Sequence, residues 1–367
     1  MTRKVLHIQV LPILSGVQRV SLNLMANLDP EEFELWLACA PDYQELQNSF
    51  ITEAKKYGVK VVTLPSLKRE IGLHDFKAFA DLYRLIRKEK FDIVHTFSSK
   101  PGIIGRIAAR LAGCPLVLHS TQGIAFHSFE VWYKRYFYIF LELIAGIFSS
   151  NVVLVNHGYD KKFWFLPRHK KVFIYNAVAF EQLRQKLVRH DDQIRLIFVG
   201  RLDQAKSPFD FLKAMKILAA ENKKIVASIV GDGEFYLQMK EYIKQNDLED
   251  RIKLLGWRDD VPELLAEHDI FCLTSIHEAF GLVFCEAGYT GLASVATMVD
   301  GIPEVVINGK TGLLVPPRDP QAFAAAVKKL AEDPLLREDM GNQARKHVTE
   351  NFNLKEFVNA YRNLYLS

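Results

Sequence analysis

Short β-branched or aliphatic runs alternate with helix-length segments along this chain, and the whole alternation happens twice. The first series of strand-like runs reads Lys4–Val10, Glu34–Ala40, Val59–Leu64, Ile93–Thr96, Leu116–His119 and Val152–Val155. Helical segments such as Phe76–Lys88 and Ile103–Ala112 lie between them. Around Tyr175-Asn176-Ala177 the pattern restarts, with Ile194–Val199, Val226–Val230, Lys253–Leu255, Phe271–Thr274 and Ser294–Thr297. Such alternation is the mark of βαβ units and parallel sheets. It predicts an α/β protein of two Rossmann-like, doubly wound domains facing a central crevice. A length of 367 residues suits two domains of roughly 100–200 residues. Ligands of such sheets bind beyond the carboxyl ends of the strands, so the loops there are the places to search. Glycosyltransferases, sugar-nucleotide epimerases and periplasmic-type binding proteins share this outline.

Charge is unevenly spread. Residues 1–180 carry 23 Lys and Arg against 15 Asp and Glu, whereas the remainder carries 24 against 28. A basic half beside an acidic one suggests either an anionic surface or ligand on the first, or merely uneven solvated charge. Cys39, Cys114, Cys272 and Cys285 are scattered through apolar runs with no metal-ligand spacing, which suits a reducing compartment. Met1-Thr2-Arg3-Lys4 enters the first strand directly, without the apolar core of a signal peptide. A cytoplasmic chain is expected, and the binding-protein reading, which needs export, recedes. The longest aromatic-aliphatic stretch, Phe126–Phe148, is interrupted by Glu130, Lys134, Arg135 and Glu142, which make it too polar to span a bilayer. Within it, Phe129–Phe148 is rich in aromatics and carries Lys134 and Arg135. Its composition suits either a helix lying at an anionic membrane surface or a partly exposed core helix. Lys161, Lys162, Arg168, Lys170 and Lys171 extend the basic character. No recognised nucleic-acid-binding motif accompanies it, and none is expected as partner.

Three constellations could carry chemistry. Gly16 lies where the first strand's loop enters a helix, a position at which free N–H groups and the helix dipole can hold a phosphate. A lone glycine there can equally be structural. Gly200-Arg201-Leu202-Asp203-Gln204-Ala205-Lys206 follows the opening strand of the second half. Two cations at a strand end can neutralise a leaving diphosphate without a metal ion, although loop cations are also often only solvated. The third is His277-Glu278-Ala279-Phe280-Gly281-Leu282 with Glu286 eight residues after Glu278. If a helix opens at Ala279, the two carboxylates share a face two turns apart. Glu286 lies in an apolar run where an unpaired carboxylate is costly, so a ribose with two hydroxyls or a neighbouring cation is expected beside it. The amides of Ala279, Phe280, Gly281 and Leu282 would face a diphosphate. The competing account is a capping Glu followed by a buried, paired one.

The order of these motifs, together with Gly231-Asp232-Gly233-Glu234, Gly301-Ile302-Pro303-Glu304 and Gly309-Lys310-Thr311-Gly312, resembles family 4 of the retaining glycosyltransferases over nearly the whole chain. His95-Thr96-Phe97-Ser98-Ser99-Lys100-Pro101-Gly102 is similar to its capsule and O-antigen branch. The resemblance implies a GT-B fold: an acceptor-binding domain over residues 1–178, completed by a returning C-terminal helix over 353–367, and a nucleotide-sugar domain over 179–352. It implies that Gly16, Arg201 and Lys206 face the donor diphosphate, that Glu278 holds hydroxyls of the transferred sugar, and that Glu286 holds the ribose. Backbone at Trp257-Arg258 would read the base. No Asp-x-Asp metal motif is present, and no metal or other cofactor is expected.

One position departs from the family. Gln122, in His119-Ser120-Thr121-Gln122-Gly123, stands where the branch carries a histidine beside the reacting sugar. Glutamine hydrogen-bonds but takes no proton, so a general base there is weakened, with His119 and His127 as stand-ins. A mechanism in which the leaving phosphate receives the acceptor proton survives. The expected activity is transfer of a hexose or N-acetylhexosamine, from a UDP-sugar for preference, to a polysaccharide or polyprenyl-linked glycan. A UDP-sugar 2-epimerase and a non-catalytic sugar-nucleotide-binding scaffold are the alternatives.

Overall fold

The computed structural model describes residues 2–42, 49–68, 70–127, 129–188 and 191–367. Met1 and Ser128, which fall within segments read above, lie outside the described residues. The chain forms two compact units, one of residues 1–176 with 354–367 and one of residues 177–353.

The first unit is built on a seven-stranded sheet of β1 (Arg3–Ile8), β2 (Phe33–Cys39), β3 (Lys60–Thr63), β4 (Ile93–Phe97), β5 (Leu116–Ser120), β6 (Asn151–Leu154) and β7 (Lys171–Phe173). Its order is β3-β2-β1-β4-β5-β6-β7, with every pair parallel. Strands covered on both faces must be apolar nearly throughout. Leu6, Ile8, Val94 and Val117 accordingly join Ala78, Leu82, Ile86 and Ala108 from flanking helices in one buried cluster. The second unit has a six-stranded sheet of β8 (Ile194–Val199), β9 (Ile225–Val230), β10 (Ile252–Gly256), β11 (Ile270–Leu273), β12 (Ala293–Thr297) and β13 (Gly312–Val315). It is again all parallel, in the order β10-β9-β8-β11-β12-β13. In each sheet the winding direction reverses once, between β1 and β4 and between β8 and β11. The edge strands β7 and β13 were not anticipated from the sequence. They have three and four residues, too few to show a period.

The C-terminal helix Leu354–Leu366 belongs to the first unit, and polar groups secure it there. Tyr365 Oη lies 2.9 Å from His7 Nε2 and 2.6 Å from His95 Nδ1. His7 Nδ1 is 2.8 Å from Ser21 Oγ, His95 Nε2 is 2.8 Å from Ser120 Oγ, and Ser120 Oγ is 2.7 Å from Tyr361 Oη. All six side chains are buried. A neutral imidazole has one donor and one acceptor nitrogen, and a hydroxyl has one proton. The six groups therefore have enough protons between them for all five contacts, each imidazole donating through one nitrogen and accepting through the other. Burial pushes the His7 imidazole down to about 3 and holds His95 and His119 well below the usual histidine range. The three rings are neutral.

The aromatic helix Trp132–Phe148 follows a different rule. Only Glu142, Ala145 and Gly146 of it are buried. Trp132, Tyr133, Tyr136, Phe137, Phe140, Leu143 and Ile147 are exposed, Trp132 at 72%. The buried side is fixed by an ion pair: Arg106 Nη2 donates to Glu142 Oε2 at 2.7 Å, and Arg106 Nε donates to the Gly102 carbonyl at 2.7 Å. Among the described residues, no helix is long and apolar enough to cross a membrane.

Candidate functional site

The second unit gathers its chemistry at the carboxyl ends of β8 and β11, where the sheet order reverses. Doubly wound sheets bind ligands at such a switch point. The loop after β8 runs Gly200 to Ser207, and the loop after β11 runs Thr274 to Gly281. Gly231 and Gly233, which follow β9, explain how closely these loops pack. At φ 139°, a Cβ on Gly231 would lie 1.9 Å from the Gly200 carbonyl oxygen. At φ 157°, one on Gly233 would lie 2.6 Å from that of Leu202. No L side chain fits either approach.

Lys206 and Glu278 meet. Their side chains form an ion pair and retain only 17% and 13% of their exposure. The Lys206 methylenes pass over Gly200, 3.6 Å from where its Cβ would be. Two short-range anchors hold the lysine backbone: Lys206 N–H donates to the Asp203 carbonyl and carboxylate, both at 3.2 Å. Thr274 Oγ1 donates to the carbonyls of Lys206 and Ser207 at 3.2 and 2.9 Å. On the glutamate side, Ile276 N–H donates to the Ala205 carbonyl at 2.8 Å, joining the two loops. Arg201 does not join the pair. Its guanidinium is half exposed and binds Asp203 at 2.9 Å.

The expectation of a helix from Ala279 is corrected. The site helix is Leu282–Thr290, and Gly281 precedes it in the left-handed region at φ 83°. There a Cβ would stand 2.6 Å from the Phe284 ring and 3.3 Å from Glu278 Cγ. Gly281 thus breaks the helical register between the two glutamates, and the shared-face argument does not apply. Glu278 approaches on a loop, and Glu286 sits in the helix's second turn, half-buried. The first N–H groups of a helix lack intrahelical acceptors; at this end they belong to Leu282 and Val283, both partly exposed. Ala279, Phe280 and Gly281 are buried.

Sequence reasoning named His277 without giving it a role and missed Asp300. The Asp300 carboxylate Oδ2 accepts from His277 Nδ1 and, at 3.2 Å, from the Glu278 N–H. Gly301 N–H then donates to the Glu278 carbonyl at 3.1 Å. The Asp-Gly step after β12 was the available signal, since such steps favour positive φ.

The remaining candidates stand elsewhere. Arg258, in the loop after β10, is exposed and binds Asp260 twice, at 2.7 and 2.5 Å. That contact raises Arg258 further above, and lowers Asp260 below, their ordinary ranges. Gly16 and Gln122 belong to the first unit. Gly16 opens the helix Gly16–Asn27, and a Cβ there would meet nothing. The loop behind it is held by Gln18 Nε2 donating to Gln9 Oε1 at 2.9 Å. Gln122 follows β5 and forms a reciprocal amide pair with Asn176, at 2.9 and 2.8 Å. A histidine cannot make both bonds, so this glutamine has a structural use. His119 is fully enclosed against Thr96 Oγ1 at 3.0 Å, which removes it as a stand-in base.

Comparison with known proteins bears on the family and the fold. The description Glycosyltransferase Family 4 matches residues 14–182, and Glycosyl transferases group 1 matches residues 179–347. The chain is 34% identical to the UDP-Gal:alpha-D-GlcNAc-diphosphoundecaprenol alpha-1,3-galactosyltransferase of Escherichia coli, over 99% of this chain and 96% of that one. It is 25% identical to the capsular polysaccharide biosynthesis glycosyltransferase CapM of Staphylococcus aureus, over 82% and 83%. In fold it is similar to HepE of Anabaena, solved with UDP and glucose, at TM-score 0.84, 19% identity and full coverage of both chains. These matches favour the transferase over the epimerase of the same architecture. With both halves matched in order and a full-length relative at 34% identity, the chain is a GT-B protein belonging to family 4 of the group 1 glycosyl transferases.

Proposed function

We propose that this chain moves a hexosyl group, galactose foremost, from a UDP-sugar onto a polyprenyl-diphosphate-linked sugar during cell-surface glycan synthesis, with retention and without a metal ion. The carrying observation is the Lys206–Glu278 pair at the β8–β11 switch point, beside the N-terminus of the site helix. An ammonium has three N–H groups. One reaches Glu278, and the others are available to phosphate oxygens. In this reading Lys206, Arg201 and the amides of Ala279, Phe280, Gly281 and Leu282 receive the charge that builds on the diphosphate as the sugar C1–O bond breaks. Gly16 leaves the space for a close phosphate approach. Glu278 holds hydroxyls of the transferred sugar, Glu286 the ribose, and backbone at Trp257-Arg258 the base. The acceptor hydroxyl attacks C1 on the face the diphosphate leaves, and its proton passes to the departing phosphate oxygen. Gln122 takes no part in that transfer. The Escherichia coli relative supports the donor and acceptor classes, and its name gives an α linkage; an α product from an α-linked donor is retention.

The proposal places the enzyme in the cytoplasm, with its first unit on an anionic membrane surface where a lipid-linked acceptor lies. The exposed aromatic helix, with Lys134 and Arg135 on it and Lys161 and Arg168 beyond it, supports this; Lys170 and Lys171 are instead engaged with carbonyls at the helix end and with Asp160. The deciding experiment incubates purified protein with UDP-galactose and an N-acetylglucosaminyl-diphospholipid, and reads the anomeric configuration by NMR. Transfer should persist in excess EDTA and give an α product. Lys206→Ala should cost about 2–4 kcal/mol of transition-state stabilisation. An inverted linkage, or loss of activity in EDTA with recovery on Mn²⁺, would refute the chemistry. Donor binding without transfer would favour the scaffold.

A further inference from the structure

Only six non-glycine residues among those described have positive φ, and two of them flank the site's ion pair: Ser207 at 44° follows Lys206, and Asp300 at 44° backs Glu278. Left-handed backbone costs an L residue about 1–2 kcal/mol, and such positions persist where the surroundings over-determine them, often at functional sites. Here the surroundings are visible. Ser207 is tied through its carbonyl to Thr274 Oγ1, and its Oγ donates to Asp210 Oδ2 at 2.8 Å. Asp300 takes two donors on one carboxylate oxygen, from the His277 ring and the Glu278 amide, while the next residue's N–H holds the Glu278 carbonyl. Residue 278 is therefore gripped on both backbone polar groups from the β12 loop, and its neighbour's ring is gripped as well.

We infer that Asp300 is the positioning residue for the Glu278 carboxylate, acting through the Glu278 amide and His277 without touching substrate, and that it governs recognition of the donor's sugar rather than its nucleotide. This rests on the reading that Glu278 holds the transferred sugar. The geometry explains why a carboxylate is needed there. Glu278 lies three residues before the left-handed Gly281, outside the regular helix, so no helical hydrogen bond fixes its backbone. Without Asp300, residue 278 would keep its carbonyl bond from Gly301 but lose the bond on its amide, and the His277 ring would lose its anchor. A lysine pulling on a loosely held glutamate would then draw it away from the sugar.

Asp300→Gly is the discriminating variant, because glycine adopts φ 44° freely and removes only the carboxylate. The measurement is the dissociation constant of UDP and of UDP-galactose by calorimetry, with Glu278→Ala as reference. The expected result is UDP binding within about twofold of wild type, while the ratio of UDP-galactose to UDP dissociation constants rises about tenfold in both variants. Asp300→Asn, which keeps an acceptor oxygen and tolerates left-handed backbone, should recover most of the ratio. If the glycine variant does not fold, Asp300→Ala, which also removes the carboxylate, is measured in its place against the same expected ratio. Equal weakening of UDP and UDP-galactose would mean a merely structural role and overturn the inference. So would a wild-type ratio in Asp300→Gly alongside a shifted one in Glu278→Ala. An unmoved ratio in Glu278→Ala would instead bring down the reading of Glu278, and the inference with it.

Discussion

The three enclosed histidines of the first unit make its stability depend on pH in a calculable way. His7, His95 and His119 are held neutral by burial, His7 at about 3 and the other two well below 6.5. In the unfolded chain each takes a proton near 6.5. A group with a lowered folded pKa contributes its full stability above the unfolded value and loses it as pH falls toward the folded one. Between pH 7.5 and 5.5 the unfolded state gains about 1.4 kcal/mol from His7, whose folded value lies below that window, and His95 and His119 add to it in the same direction. One side chain alone thus moves a noticeable part of the 5–15 kcal/mol typical of a domain. The partly exposed carboxylates with lowered values, Glu32, Glu34, Asp160 and Asp260, titrate below this window and do not mask the effect. Urea unfolding followed by tryptophan fluorescence is a suitable assay, since Trp36, Trp132 and Trp164 lie in the first unit and only Trp257 in the second. His119→Asn should reduce the pH-dependent loss, because an amide can still meet Thr96 but has no proton to gain. Equal stability at both pH values, or an unchanged loss in His119→Asn, would refute the argument.

Tyr365→Phe removes the hydroxyl that His7 and His95 share; leaving buried groups unpaired should cost about 1–3 kcal/mol, measured by the same urea titration. Gly231→Ala would press a methyl onto the Gly200 carbonyl and should destabilise the second unit by more than 2 kcal/mol, whereas Gly16→Ala meets open space and should alter stability by less than about 0.5 kcal/mol; calorimetric melting separates the two. Purified protein should sediment with anionic vesicles and less so as salt rises, surface charges being screened over about 8–10 Å; replacing Trp132 and Phe140 by Ser should weaken sedimentation, and equal partitioning onto neutral vesicles would oppose the basic surface's role.

Much of this architecture could be read in the chain because buried parallel strands announce themselves as apolar runs. Eleven runs were legible, and the two that were not, Lys171–Phe173 and Gly312–Val315, are short edges. Lys206 and Glu278 were recognisable as reactive types at strand ends. Their mutual ion pair was not, since residues 72 apart in sequence meet only through the β8–β11 neighbourhood. The helix start was misjudged because Gly281 looked like one more residue of an apolar stretch, when its value lies in φ. Asp300 and the Gln122–Asn176 pair escaped for a related reason: hydrogen-bond partners across loops leave no period to read.

The C-terminal helix has a consequence for how the protein comes off the ribosome. Arg3 donates to the Tyr365 carbonyl, and His7 and His95 meet that residue's hydroxyl, so the first unit cannot close its histidine core before the helix Leu354–Leu366 has been made. Recruiting the helix across an unfolded stretch of this length would cost about 4–5 kcal/mol in loop closure. The second unit removes most of that cost. Once folded, it pairs Val178 with Asn353, bringing the point where the chain leaves the first unit next to the point where it returns. A folded second unit would thus shorten the effective loop that the helix Leu354–Leu366 must close, making docking of that helix depend on prior folding of residues 177–353.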